Sequence, residues 1–133
     1  MAINLAYQTY QQNQVTTATP GELTLMLYNG IIKFIKQAQT AIDQRDYERA
    51  NLFNLKAQNI ITELTVTLKM EYAIAQHLSA LYEYMGRRLI EANIKKDKAI
   101  LDEVLGMATE LRDSWSEAVK IARQERHLKN DAR

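Results

Sequence analysis

The sequence predicts an all-α protein: an antiparallel up-down-up-down four-helix bundle with a short N-terminal arm or helix packed over it. Three observations carry this. Four segments repeat apolar residues at steps of three and four, and none alternates with the period of two that a half-buried strand requires. The breaks between them are short and polar, which favours antiparallel neighbours. The only proline, Pro20, sits where a helix begins. In Thr19-Pro20-Gly21-Glu22, Thr19 can cap free amides, Pro20 occupies a position that needs no donor, and Glu22 can reach back as the reciprocal partner.

The first helix runs from Pro20 to about Ile42, with Leu23, Met26, Leu27, Gly30, Ile31, Phe34 and Ala38 inward. Asp43 to Asp46 is a polar break, and Asp46 suits the cap of a second helix from Tyr47 to about Leu68. That helix turns Ala50, Phe53, Ala57, Ile60, Ile61, Leu64 and Leu68 inward. The phase changes around Lys69-Met70-Glu71, which marks a turn or kink. A third helix carries Ile74, Leu78, Leu81, Tyr82, Met85 and Leu89 and ends near Lys95-Lys96, cations well placed at a C-terminal dipole. Asp97 caps a fourth helix bearing Ile100, Val104, Ala108, Leu111, Trp115, Ala118 and Ala122. The chain thus divides into an arm (1–19), a bundle (20–122) and a charged tail (123–133) expected to fray.

Size and charge narrow the function. The 133 residues suffice for one domain with a sizeable core, and 47% apolar with 25% charged side chains is ordinary soluble composition. Without cysteine, disulfides and thiolate metal sites are excluded, which suits a reducing compartment. Seventeen basic against sixteen acidic side chains leave +1, so no basic excess points to nucleic acid or an acidic membrane. Met1 to Val15 lacks the basic and apolar regions of a secretory signal, and no apolar run approaches the roughly 20 residues that span a bilayer. A cytoplasmic protein is expected.

The apolar surface exceeds what such a core needs. An edge helix requires a stripe a little over roughly 100° wide. On the first helix, Leu25, Tyr28, Ile32 and Ile35 form a second strip beside the main one. On the second, Leu52, Leu55 and Val66 project away from the core and share that side with Asn59. The third adds Tyr84 and Ile90. Each is unremarkable alone. As a set they predict a binding surface, covered by the arm, buried in a homodimer, or open to a helix or extended peptide. Ile3, Leu5, Tyr7 and Tyr10 could fold onto it, tyrosine suiting a removable cover through its apolar ring and water-tolerant hydroxyl. Gly30, Gly86 and Gly106 lie within predicted helices; close helix approach is the expected reason, with a kink or a groove floor as alternatives.

Catalytic and cofactor chemistry finds no candidates, and no enzyme, metal or cofactor is expected. Neither His77 nor His127 follows a glutamate by three residues, as a bundle di-iron site requires. There is no Gly-x-Ser-x-Gly turn and no glycine-rich loop after a strand. Histidine phosphotransfer domains are bundles of this size with one exposed histidine, but His77 leads into Leu78-Ser79-Ala80 rather than a nearby lysine and glycine. That alternative rests on His77 alone.

Four pieces of sequence in order resemble the flagellin export chaperones of the FliS type. They are Tyr7-Gln8-Thr9-Tyr10-Gln11-Gln12-Asn13 with Val15, Ala18 to Leu23 and Leu25 to Gly30; Lys56-Ala57 with Ile60-Ile61 and Glu63-Leu64; Leu81 to Met85 with Arg88-Leu89 and Glu91-Ala92-Asn93; and Val104 with Leu111-Arg112 and Trp115. The resemblance spans residues 3 to 122. It implies a cytoplasmic chaperone that holds the C-terminal segment of unassembled flagellin, prevents premature polymerisation and delivers it to the flagellar type III export gate. An assembly factor or co-chaperone is a further implied partner. It also implies that the arm lies near the client groove and moves on binding, which adds Tyr7 and Tyr10 to the helical positions. The expected client-facing set is Tyr7, Tyr10, Leu25, Tyr28, Ile32, Leu52, Leu55, Asn59, Val66, Tyr84 and Ile90. A homodimeric interaction module without chaperone activity is the rival reading.

Overall fold

The computed structural model describes residues 19–131. Tyr7 and Tyr10, and the arm that carries them, lie outside the described residues. Four helices follow one another: α1 (Pro20–Asp43), α2 (Tyr47–Val66), α3 (Ala73–Lys95) and α4 (Lys98–Asp131). The start of α1 is the expected capping box. The Glu22 amide donates to Thr19 Oγ1 at 3.2 Å and the Thr19 amide donates to Glu22 Oε2 at 3.3 Å. Asp46 caps α2 by accepting from the Arg49 amide, and Asp97 caps α4 by accepting from the amides of Ala99 and Ile100. The turns before α2 and α4 are closed by Arg45 and Lys96, each with positive φ, 57° and 52°.

α1 packs against α2 and α4, and α3 packs against the same two, so α1 and α3 face each other across one diagonal. Contacts at both ends fix the directions. Gln39 Nε2 donates to Asp102 at 2.6 Å and Lys98 pairs with Asp43 at one end of the α1–α4 seam; Trp115 Nε1 donates to the Gly21 carbonyl at 2.9 Å at the other. Likewise Asn93 donates to Asn51, and Gly86 faces Ile61 along α2 and α3. The result is the predicted antiparallel bundle. Its core is built from Ile31, Ile35, Phe53, Leu64, Met85, Leu89, Leu101 and Val104, with Tyr28 and Tyr82 fully enclosed. Asn54 is the buried polar residue among the described ones: it donates to the Leu89 carbonyl at 3.0 Å and accepts from Gln58.

Three expectations change. The helix of the last segment extends past Ala122 to Asp131, because nothing after Gly106 is glycine or proline and the charged residues there are good helix formers. Ile74 and Leu81, expected inward, are exposed. Two of the helix glycines, Gly86 and Gly106, are not at the close approach expected of them. A Cβ built at Gly21 would meet Val119 at 3.3 Å, whereas one at Gly86 would make ordinary contact and one at Gly106 would meet nothing within 4 Å.

Candidate protein-binding surface

The helical wheel treats every helix as an edge helix, and for α1 this underestimates burial. α1 is flanked by both α2 and α4, so its buried arc reaches about half-way round and absorbs part of the second strip. Tyr28 and Ile32, expected to face a client, are buried instead. The Tyr28 hydroxyl lies 2.5 Å from that of Tyr82 on α3, and its ring meets Trp115 edge-on at 6.3 Å. Burial raises the Tyr28 phenol above its ordinary range, partly offset by the bond to Tyr82, and burial first and that bond second raise Tyr82 further. Leu25 is half-buried on the same flank.

Tyr84 stands apart as well. It lies on the α3–α4 seam, where its hydroxyl donates to Glu103 at 3.0 Å beside the Arg88–Glu103 and Arg88–Glu91 ion pairs. The Arg88 guanidinium, then the Tyr84 hydroxyl, holds the Glu103 carboxyl below the usual carboxylate range, and the same bond raises the Tyr84 phenol.

The remaining residues converge. On α2, positions 52, 55, 59, 62 and 66 recur at steps of three and four and form one outward ridge. Leu52 is 40% exposed, Leu55 43% and Val66 78%, with Asn59 exposed among them. On α3, Ile90 is 48% exposed and Ile94 79%. Asn51–Asn93 and Asn54–Leu89 set the register of the two helices, so the turn carrying Leu52 and Leu55 runs beside the turn carrying Ile90 and Ile94. Ile94 was missed from sequence, although its place one turn after Ile90 was the available signal. Past the other end of this band, Thr24, Leu64, Leu68, Tyr72, Ile74 and Trp115 help line a cleft of about 230 Å³. It opens where α2 turns into α3, a stretch that the sequence marks only by a change of phase.

Among the described residues no group of three or more His, Asp or Glu is placed to hold a metal ion, and no helix is long and apolar enough to cross a membrane. His77 is exposed on α3.

Fold and surface together define a helical-bundle protein with an apolar band left open along two adjacent helices. The family described as Flagellar protein FliS matches residues 2–122, and the chain belongs to that family. It is 53% identical over 127 residues to the flagellar secretion chaperone FliS of Bacillus subtilis (strain 168), covering 96% of each chain. It is 31% identical over 111 residues to the protein of that name from Escherichia coli (strain K12), covering 81% of this chain and 82% of that one. A solved structure described as a flagellar chaperone from bacteria shares the fold with a TM-score of 0.72 at 19% identity, over 87% of this chain and 96% of that chain.

Proposed function

We propose that this chain is a cytoplasmic export chaperone for flagellin. It binds the C-terminal helical segment of the unassembled subunit, prevents premature polymerisation and delivers it to the export gate of the flagellar type III apparatus. The observation that carries the reading is the exposure of Leu52, Leu55, Ile90 and Ile94 on two adjacent helices of the bundle, in a chain of the FliS family. An amphipathic helix that finds its partner only in a filament exposes an apolar face beforehand, and such a face is what an apolar ridge receives. A client that orders on binding gives up chain entropy, so a broad contact remains releasable. Tyr7 and Tyr10 belong to this proposal as a cover for the client surface, and a co-chaperone or assembly factor as a further partner.

Titrating the flagellin C-terminal segment into the wild-type chain and Leu55→Asp tests it. Loss of about tenfold or more in affinity, with helical content and melting temperature retained, is expected. Unchanged affinity removes Leu55 from the site, and no binding to the wild-type chain removes the function. The same apolar band could seat a second copy of the chain. Light scattering with and without the segment distinguishes a dimer that the client dissociates from one that ignores it.

A further inference from the structure

The α1-facing flank of the α2 ridge is cationic. Lys36 and Arg49 line an open cavity of about 410 Å³ between the last turns of α1 and the first turns of α2, together with Gln37, Gln44 and the Phe53 ring. Lys56, seven residues beyond Arg49, continues the same face of α2. The Phe34 and Phe53 rings stack across the seam with centroids 6.3 Å apart, and they hold the cations in a row. Lys56 Nζ stands 5.4 Å from the centre of Phe34 and 5.8 Å from that of Phe53, and the Arg49 guanidinium 5.6 Å from Phe53.

Lys36, Arg49 and Lys56 form no ion pair with any described carboxylate. The described cross-helix ion pairs lie on the α3–α4 and α1–α4 seams. Burial, and after it the neighbouring Lys33, holds the Lys56 ammonium below the usual lysine range, a strain that an incoming anion would relieve. At the cavity, Gln37 Oε1 is buried without a hydrogen-bond partner. Leu52, three residues after Arg49 and four before Lys56, joins this flank directly to the apolar ridge.

We infer that the seam is the polar half of the client site and takes an amphipathic helix carrying Asp or Glu along one flank. Its apolar residues lie on Leu52 and Leu55 and its carboxylates on Lys36, Arg49 and Lys56. This rests on the reading of the α2 ridge as a helix-binding surface. Carboxylates there would replace water around crowded cations and fix which way round the client lies, the usual contribution of charge at an interface.

Two synthetic helical peptides with the same leucine stripe, one flanked by Glu and one by Lys, test it by fluorescence anisotropy at low and high salt. The wild-type chain is expected to prefer the Glu-flanked peptide by about tenfold at low ionic strength, and by under about twofold near 0.5 M salt. Lys36→Glu with Arg49→Glu should reverse the preference. Lys36 is exposed, and a glutamate in the first turn of α2 suits the helix dipole, so the double variant retains the fold, which circular dichroism checks. Equal binding of both peptides, or a Glu preference that survives the double variant, overturns the inference. The flagellin segment separates the two claims. Binding that Leu55→Asp abolishes but charge reversal and salt leave untouched overturns the acidic flank and keeps the chaperone reading; binding that neither change affects removes both.

Discussion

The hydroxyls of Tyr28 on α1 and Tyr82 on α3 meet at 2.5 Å in the middle of the bundle, joining two helices that face each other across its diagonal. Neither phenol has a described alternative partner, so each depends on the other. Removing one hydroxyl leaves a buried polar group unsatisfied, whereas removing both leaves an apolar core of nearly the same shape. Tyr28→Phe or Tyr82→Phe alone is expected to cost about 1–3 kcal/mol, and the double variant less than the sum of the two. Urea denaturation of the four proteins measures the cycle.

The same pair has a pH signature. Both phenols are raised in the folded state relative to an unfolded tyrosine near 10. The folded chain therefore holds protons that the unfolded chain releases above that value. Their contribution is fully present below about pH 10 and declines as pH rises beyond it. The wild-type chain should lose more stability than the doubly substituted one between pH 9 and pH 11, read as the difference between their denaturation midpoints.

Burial separates Ile32 from Leu52, although the wheel placed both off the main stripes. Ile32→Asp puts a carboxylate into the core beside α4 and should lower stability by several kcal/mol. Leu52→Asp and Ile94→Asp alter exposed positions and should change it by about 0.5 kcal/mol or less while weakening client binding. Thermal melts alongside binding titrations decide between a folding and a recognition role at each position.

Gly106 faces open space, so nothing in the fold requires glycine there. Gly106→Ala should stabilise the chain by up to about 1 kcal/mol, seen as a melting point higher by a few degrees.

Beyond Arg123, whose guanidinium pairs with Glu22, α4 continues for about 12 Å without crossing another described helix. Ending the chain after Arg123 should leave the melting temperature within about a degree, whereas Trp115→Ala, which removes a ring packed on Tyr28 and a bond to the Gly21 carbonyl, should lower it by several degrees. Differential scanning fluorimetry suffices for both.

The four helices were legible because their signals are local: the Thr19 box, the Asp46 and Asp97 caps, and the inward residues expected of the second helix, which are all buried except Leu68, half-buried just past the end of α2. The surface was legible only in part. Periodicity shows which way a residue points from its own axis but not how many neighbours crowd that side. Leu52 and Leu55 were therefore placed correctly on the outward ridge of α2, whereas Tyr28 and Ile32 fell on a flank that α4 encloses. Tyr84 was drawn away by Glu103, nineteen positions later, a long-range partner that spacing within one helix cannot reveal. The cationic seam escaped for a similar reason, since Lys36 and Arg49 meet only once the turn at Arg45 folds α2 back along α1.

Asn54 gives the apolar band its fixed spacing. Greasy surfaces slide past one another at little cost, so α2 and α3 could slip by a turn if packing alone held them. A shift of that size would strand the Asn54 amide away from the Leu89 carbonyl in a dry interior. One interior amide thereby acts as an index pin, keeping Leu55 level with Ile90 so that an arriving helix meets the same footprint every time.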